Sequence, residues 1–150
     1  MEGSEQQCRG ILGDRIMRRL ILLAGAIPVL VVAQTIKCPQ ALPEGSVEIR
    51  QAPEGWHASS PTVVRLDGGG MLSGDPKKMQ YLVPSSSRKV KGGGTSTWNF
   101  DPSEQKWVYC TYGRMAVQLA KRMDDQATTC QVTVKYERKD VVAEITAVCR

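Results

Sequence analysis

Few residues of this chain have types and spacings suited to chemistry, and each has a plainer use. His57, the single histidine, follows Trp56 in a glycine-flanked stretch. A histidine works as a general base only beside a nucleophile and an orienting group, and no Gly-x-Ser-x-Gly elbow supplies one. Asp124-Asp125 is the sole adjacent acidic pair. It falls where a turn is expected, and turn aspartates usually cap their own backbone. The triplets Gly68–Gly70 and Gly92–Gly94 invite comparison with phosphate loops. Neither leads into the Lys-Ser or Lys-Thr of a P-loop, nor into a helix N-terminus that could hold phosphate. The expectation is a non-enzymatic chain with no catalytic residue, no metal site and no cofactor.

The cysteines have a clearer use. Cys38, Cys110, Cys130 and Cys149 are far apart, and no Cys-x-x-Cys pair exists to suggest zinc. In an oxidising compartment an even count predicts two disulfides, with three connectivities open. The favoured pairing joins Cys110 to Cys130 and Cys38 to Cys149, because the second bond would tie both ends of the exported chain to one sheet.

That compartment is inferred from the N-terminal region. Met17-Arg18-Arg19, an apolar run from Leu20 to Val32 and the small Ala33 form a secretory signal. The run spans 13 positions and includes Pro28, whereas a membrane-crossing helix needs roughly 20 apolar residues. An uncleaved anchor is the alternative to cleavage. Residues 1–16 are polar, which makes Met17 a candidate start and removes Cys8 from the mature protein. Residues 1–33 are thus expected to be extension and signal, and 34–150 a single exported domain, periplasmic or secreted, with no stable membrane span after cleavage.

Removing the four arginines and three acidic residues of the first 33 positions from totals of 20 and 15 leaves a net charge of +4. The cations are scattered as Lys77-Lys78, Arg88-Lys89 with Lys91, Lys121-Arg122 and Arg138-Lys139. So mild and dispersed a charge argues against nucleic acid, and each short cluster is read as a solvated edge or turn.

The elements that must position these residues read as β. Short runs alternate apolar and polar, and none sustains a helical period. Strands are expected at Val47–Arg50, Val63–Leu66, Thr95–Phe100, Lys106–Tyr112, Cys130–Tyr136 and Val141–Cys149. The Asp101–Glu104 turn predicts a hairpin between the third and fourth of these, and the Glu137–Asp140 turn another between the last two. Trp107 and Tyr109 fall on one face of their strand, and Val108, Cys110 and Tyr112 on the other, so the strand should be interior to a sheet. Met115–Met123 fits either period and is assigned a strand. Gly68–Gly70 should interrupt structure, and Ser85–Gly94 should be a polar loop. Trp56, Trp98, Trp107, Tyr109 and Tyr112 are expected in the core, a sugar- or cation-binding platform being the alternative. The fold class is mainly β: an antiparallel sheet or small barrel stapled by two disulfides, with at most one short helix.

Trp98-Asn99-Phe100, Trp107, Cys110-Thr111-Tyr112, Leu119, Cys130-Gln131-Val132 and Cys149, with Cys38-Pro39, Gly74-Asp75-Pro76 and Leu82-Val83-Pro84, carry a resemblance. They resemble a family of small, uncharacterised exported proteins of Gram-negative bacteria, over most of residues 36–149. The resemblance implies a periplasmic β-rich domain. That family is similar in architecture to bacterial proteinaceous lysozyme inhibitors, which push a loop into the lysozyme cleft. It directs attention to Ser86, Ser87, Arg88 and Lys89, a polar, cationic stretch of the kind that could meet catalytic carboxylates. A solvated loop is the plainer reading of the same residues. The implied partner is a lysozyme-type or other cell-wall-active hydrolase. Common lysozymes are cationic, so a domain at +4 needs a locally different contact face. An envelope assembly factor is the alternative function.

Overall fold

A computed structural model of the chain describes residues 33–59 and 63–150. The expected signal, Met17 and Cys8 lie outside these residues. In chain order the strands are β1 (Gln34–Lys37), β2 (Ala41–Leu42), β3 (Val64–Ser73), β4 (Ser86–Val90), β5 (Gly93–Asn99), β6 (Lys106–Tyr112), β7 (Val117–Arg122), β8 (Thr129–Arg138) and β9 (Val141–Cys149), with one 3-10 turn at Pro76–Lys78. They form a five-stranded sheet in the order β1-β9-β8-β5-β4 and a four-stranded sheet in the order β2-β3-β6-β7. Every pairing is antiparallel. Among the described residues the chain adopts the expected β class, with two disulfides and one short helical turn, in the form of two sheets packed on a shared core.

Alternation supplies that core from both sides. The first sheet contributes Ile36, Trp98, Cys130, Val132, Ile145, Ala147 and Cys149; the second contributes Leu42, Val64, Leu66, Met71, Val108, Cys110 and Tyr112. The chain crosses between the sheets twice at informative points. After β1, Cys38 donates its N–H to Ile145 O, and Gln40 O then accepts from Leu66 N–H in the other sheet. After β5, Phe100 N–H is still bonded to Thr128 O, yet Lys106 is already paired with Ser73. The expected β5–β6 hairpin is therefore absent. Period-two patterning identified both strands correctly, but the Asp101–Gln105 connection is an arch from one sheet to the other.

Lys106 explains the arch. It is 0% exposed, and its Nζ donates to Asp101 O, Glu104 O and Asp125 O at 3.2, 2.9 and 2.6 Å. The ammonium also lies 5.4 Å from the centre of the Phe100 ring. Three main-chain acceptors thus compensate a buried cation and fix the corner.

Gly68–Gly70 does not interrupt structure either, because β3 runs straight through it with a bulge between Leu66 and Gly68. The glycines make room. A Cβ on Gly69 would lie 2.6 Å from Tyr109 O and 3.2 Å from Ile145 Cδ1, and one on Gly70 would meet the Tyr109 hydroxyl at 2.9 Å and its ring at 3.0 Å. Side chains there would force the neighbouring strands apart.

Both disulfides differ from the favoured pairing. Cys38 bonds Cys110, and Cys130 bonds Cys149. In the β1–β9 ladder Gln34 faces Cys149, which leaves Cys38 four residues further along, roughly 13 Å away at strand rise. Cys38 instead sits at the crossing between sheets and reaches Cys110 on the inner face of β6. Cys130 and Cys149 face each other across the β8–β9 hairpin. Thr129 and Arg150 exchange both of their main-chain bonds, so Cys130 and Cys149 form the adjacent non-hydrogen-bonded pair, where Cα atoms approach most closely. Their Cα separation is 4.1 Å.

The β8–β9 hairpin, the interior position of β6 and the strand at Val117–Arg122 match expectation. Val47–Arg50 does not: it is irregular and mostly exposed, with no partner strand among the described residues.

Candidate partner-binding surface

Ser86, Ser87, Arg88 and Lys89 lie in a strand and not in a loop. β4 pairs with β5 from Ser86↔Thr97 to Val90↔Gly93, and the chain reverses at Lys91-Gly92, where Gly92 takes φ +75°. A two-residue reversal needs a positive φ, and the glycine supplies it without steric cost. The loop expectation failed because Ser, Arg and Lys have weak β preference on their own; pairing with the β-favouring Thr95 and Thr97 overrides it. Ser87 Oγ and Ser96 Oγ are 2.9 Å apart, which fixes their common face. All five residues of β4 are exposed.

Beside the hairpin runs a groove of about 730 Å³ between β4–β5 and the β8–β9 turn. Lys89, Arg138 and Lys139 line it together with Glu137, Asp140 and the exposed ring of Tyr136. The structure thus brings two cation clusters, distant in sequence, to one end of the five-stranded sheet.

The aromatic residues divide between two sites. Trp98 and Tyr112 are core, with Trp98 Nε1 donating to Leu82 O and Tyr112 Oη to Pro39 O, each at 3.0 Å. Burial raises the pKa of the Tyr112 hydroxyl. Trp107 and Tyr109 instead lie on the outer face of the four-stranded sheet. Tyr81 meets Tyr109 edge-on at 5.1 Å, and the Arg122 guanidinium stands 5.8 Å from the Trp107 ring centre. Burial, and secondarily Tyr81, raises the Tyr109 pKa. Trp56 belongs to neither group, being 74% exposed. The expectation that all five form the core is corrected: the two faces of β6 both carry bulk, but only one faces inward.

The other candidates for chemistry are occupied or isolated. His57 is exposed on an irregular segment. Asp125 pairs with Arg122, whose hydrogen bond is the main cause of its lowered pKa, and Asp124 Oδ1 accepts from Gln126 N–H at 2.9 Å. Asp124 thus caps its own turn as expected of the pair, whereas Asp125 is held by the ion pair instead. Among the described residues no three His, Cys, Asp or Glu side chains are grouped as metal ligands would be.

Sequence reading missed Asp67. Its Oδ1 accepts from Thr111 Oγ1 at 2.6 Å, and its Oδ2 accepts from the main-chain N–H of Arg114 and of Met115. Gly113, Arg114 and Met115 have φ of +63°, +57° and +68°, a run in which the left-handed conformation is costly for the two with side chains. The carboxylate anchors that tip. The available signal was a lone acid before a glycine triplet, which points to a turn and not to a long-range anchor.

Comparison with known families bears on what this scaffold is for. A family model described as Type VI secretion system Tli immunity protein matches residues 59–150. The chain belongs to this family. The match takes in β3 to β9, hence three of the four disulfide cysteines and the β4–β5 hairpin; Cys38 lies before it. No curated protein and no solved structure matches the chain. Membership of the Tli immunity family agrees with the exported-family resemblance and makes a non-enzymatic role, binding a partner effector, the functional frame. Among the described residues no helix is long and apolar enough to cross a membrane.

Proposed function

We propose that this protein is exported to the periplasm, with residues 1–33 removed, and there binds a toxic effector of a type VI secretion system and holds it inactive. The family match over β3 to β9 carries the reading. The scaffold suits it, since two disulfides and an interlocked core present surfaces with little conformational freedom left to lose on binding. The finer proposal is that the effector is a lysozyme-type or other cell-wall-active hydrolase, as the architectural resemblance implies, and that Ser86, Ser87, Arg88 and Lys89 contribute to the contact. A second reading, an envelope assembly factor, has one observation behind it: β4 is an exposed sheet edge, which such factors use to pair with other components.

A challenge assay tests the proposal. Recipient cells lacking the immunity protein are exposed to attackers armed with the source organism's secretion system, and survival is scored with the full chain, with a version lacking residues 1–33, or with neither. Protection by the full chain alone is expected. Equal killing in all three overturns the immunity reading and leaves the assembly reading. Titration of purified residues 34–150 against several lysozyme types, followed by cell-wall lysis, then tests the target class; no inhibition of any type removes it.

A further inference from the structure

The main-chain ladder determines which groups of β4 are available. Phe100 N–H bonds Thr128 O, and Tyr136 N–H bonds Gly92 O, across the β5–β8 boundary. In an antiparallel ladder the bonding direction alternates residue by residue. Gly94, Ser96 and Trp98 therefore bond toward β8, and Gly93, Thr95 and Thr97 toward β4, where their partners are Val90, Arg88 and Ser86. Ser87 and Lys89, between those partners, turn their N–H and C=O groups to the outer edge. No strand pairs with that edge among the described residues.

The other edges are less open. β1 and β2 have four and two residues. β7 is longer, but its Gln118 accepts from Tyr81 Oη at 2.8 Å, and its Arg122 is bound by Asp125 and lies over Trp107. β4 is the edge strand exposed at every residue. Its charge is also one-sided. Arg88, Lys89 and Lys91 carry it, and along the adjoining groove Arg88, Lys89, Arg138 and Lys139 outnumber Glu137 and Asp140 four to two.

We propose that β4 is the docking edge for an extended acidic segment of the effector, which adds a strand through the main chain of Ser87 and Lys89 and sets its carboxylates against Arg88, Lys89 and Lys91. The inference rests on the partner-binding reading above and names the surface and the partner's chemistry. Charge selects the occupant. A second copy of this chain paired on the same edge would bring Arg88, Lys89 and Lys91 against their own counterparts, and like charges across a strand pair are destabilising. An acidic strand meets the same cations favourably, at each register that fills the Ser87 and Lys89 bonds.

The test uses the exported chain, isotopically labelled, and a peptide of alternating glutamate and threonine as probe. Binding is expected to weaken several-fold on raising salt from about 50 to 500 mM. Chemical-shift changes should centre on β4. The Ser87 and Lys89 amides should exchange freely with solvent in the free protein and slow when the peptide is present. Lys89→Pro removes an outward N–H and leaves the β4–β5 bonds in place; it should weaken binding roughly tenfold or more. Arg88→Glu with Lys89→Glu keeps the whole backbone ladder and should do the same, so the result does not depend on the proline variant folding. The proposal is overturned by shifts centred on another face, by both variants binding the peptide as tightly as the parent does, by an equally tight peptide with lysine for glutamate, by self-association through β4, or by no binding. The challenge assay separates the levels: protection that survives both substitutions removes the docking edge and leaves immunity standing.

Discussion

Removing the Cys38–Cys110 disulfide should cost more stability than removing Cys130–Cys149, and the order follows from topology. The bonds close loops with sequence separations of 72 and 19 residues. The chain-entropy relation gives about 4.4 and about 3.2 kcal/mol at 25 °C, a difference of about 1.2. The loops do not overlap, so the two losses should add in a variant lacking both. The long loop also joins the two sheets, whereas the short one lies within a hairpin already held by its ladder. Paired Cys→Ala variants, unfolded in urea and compared with the parent, give the numbers directly. At a slope of about 1–2 kcal/mol/M, loss of Cys38–Cys110 should lower the midpoint by roughly 2–4 M. Non-reducing peptide mapping checks the premise. A larger loss from the Cys130–Cys149 pair, or a peptide joining Cys110 to Cys130, would refute the reasoning.

Three further expectations rest on single groups. Lys106→Met leaves the Asp101, Glu104 and Asp125 carbonyls without their donor and should cost about 3–5 kcal/mol, seen as a fall in Tm of about 10–20 °C; a change under about 3 °C would mean the arch does not depend on the ammonium. Arg114→Gly should raise stability by about 0.5–1 kcal/mol by relieving its left-handed backbone, and a lower Tm would show that its side chain matters more than its φ. The Glu144 pKa is lowered to about 2 by hydrogen bonds from Lys37 and Lys135. A folded pKa below the unfolded value means that this contribution is present above about pH 4.5 and lost as pH falls toward 2. A Tm series from pH 6 to 2 should therefore show Glu144→Gln destabilised relative to the parent at the upper end and converging with it at the lower; a gap that widens on acidification would contradict the assignment.

The β class, the terminal hairpin and the interior β6 were legible because each depends on local signals: alternation, turn residues and β-branched content. The failures share a cause as well. The arch after Phe100 looks like a hairpin turn because only the buried Lys106, a residue type ordinarily exposed, distinguishes it. The glycines of β3 look like a break because their use is to admit Tyr109 and Ile145 from elsewhere in the chain. The cysteine pairing depends on which strands neighbour which, information that no local pattern holds. At the candidate site the cations of β4 were legible as residue types, but their arrangement along an open edge was not, since β4 owes its strand form to β5.

That dependence bears on how the surface can work. A polar loop carrying Arg88 and Lys89 would have to be ordered when a partner arrives, at a cost of about 1–2 kcal/mol per residue in backbone entropy alone. In β4 the ordering is already done by pairing from Ser86 to Val90 and by the Ser87–Ser96 contact. β5 is in turn held by β8, and β8 by β9 and the Cys130–Cys149 bond. The disulfide thus joins the second and third strands in from the edge yet stabilises the ladder that shapes it. Reduction should accordingly loosen the β4 edge as well as lower global stability, and amide exchange at Arg88 and Val90, the residues bonded inward, should quicken in the Cys130→Ala/Cys149→Ala variant before the protein as a whole unfolds.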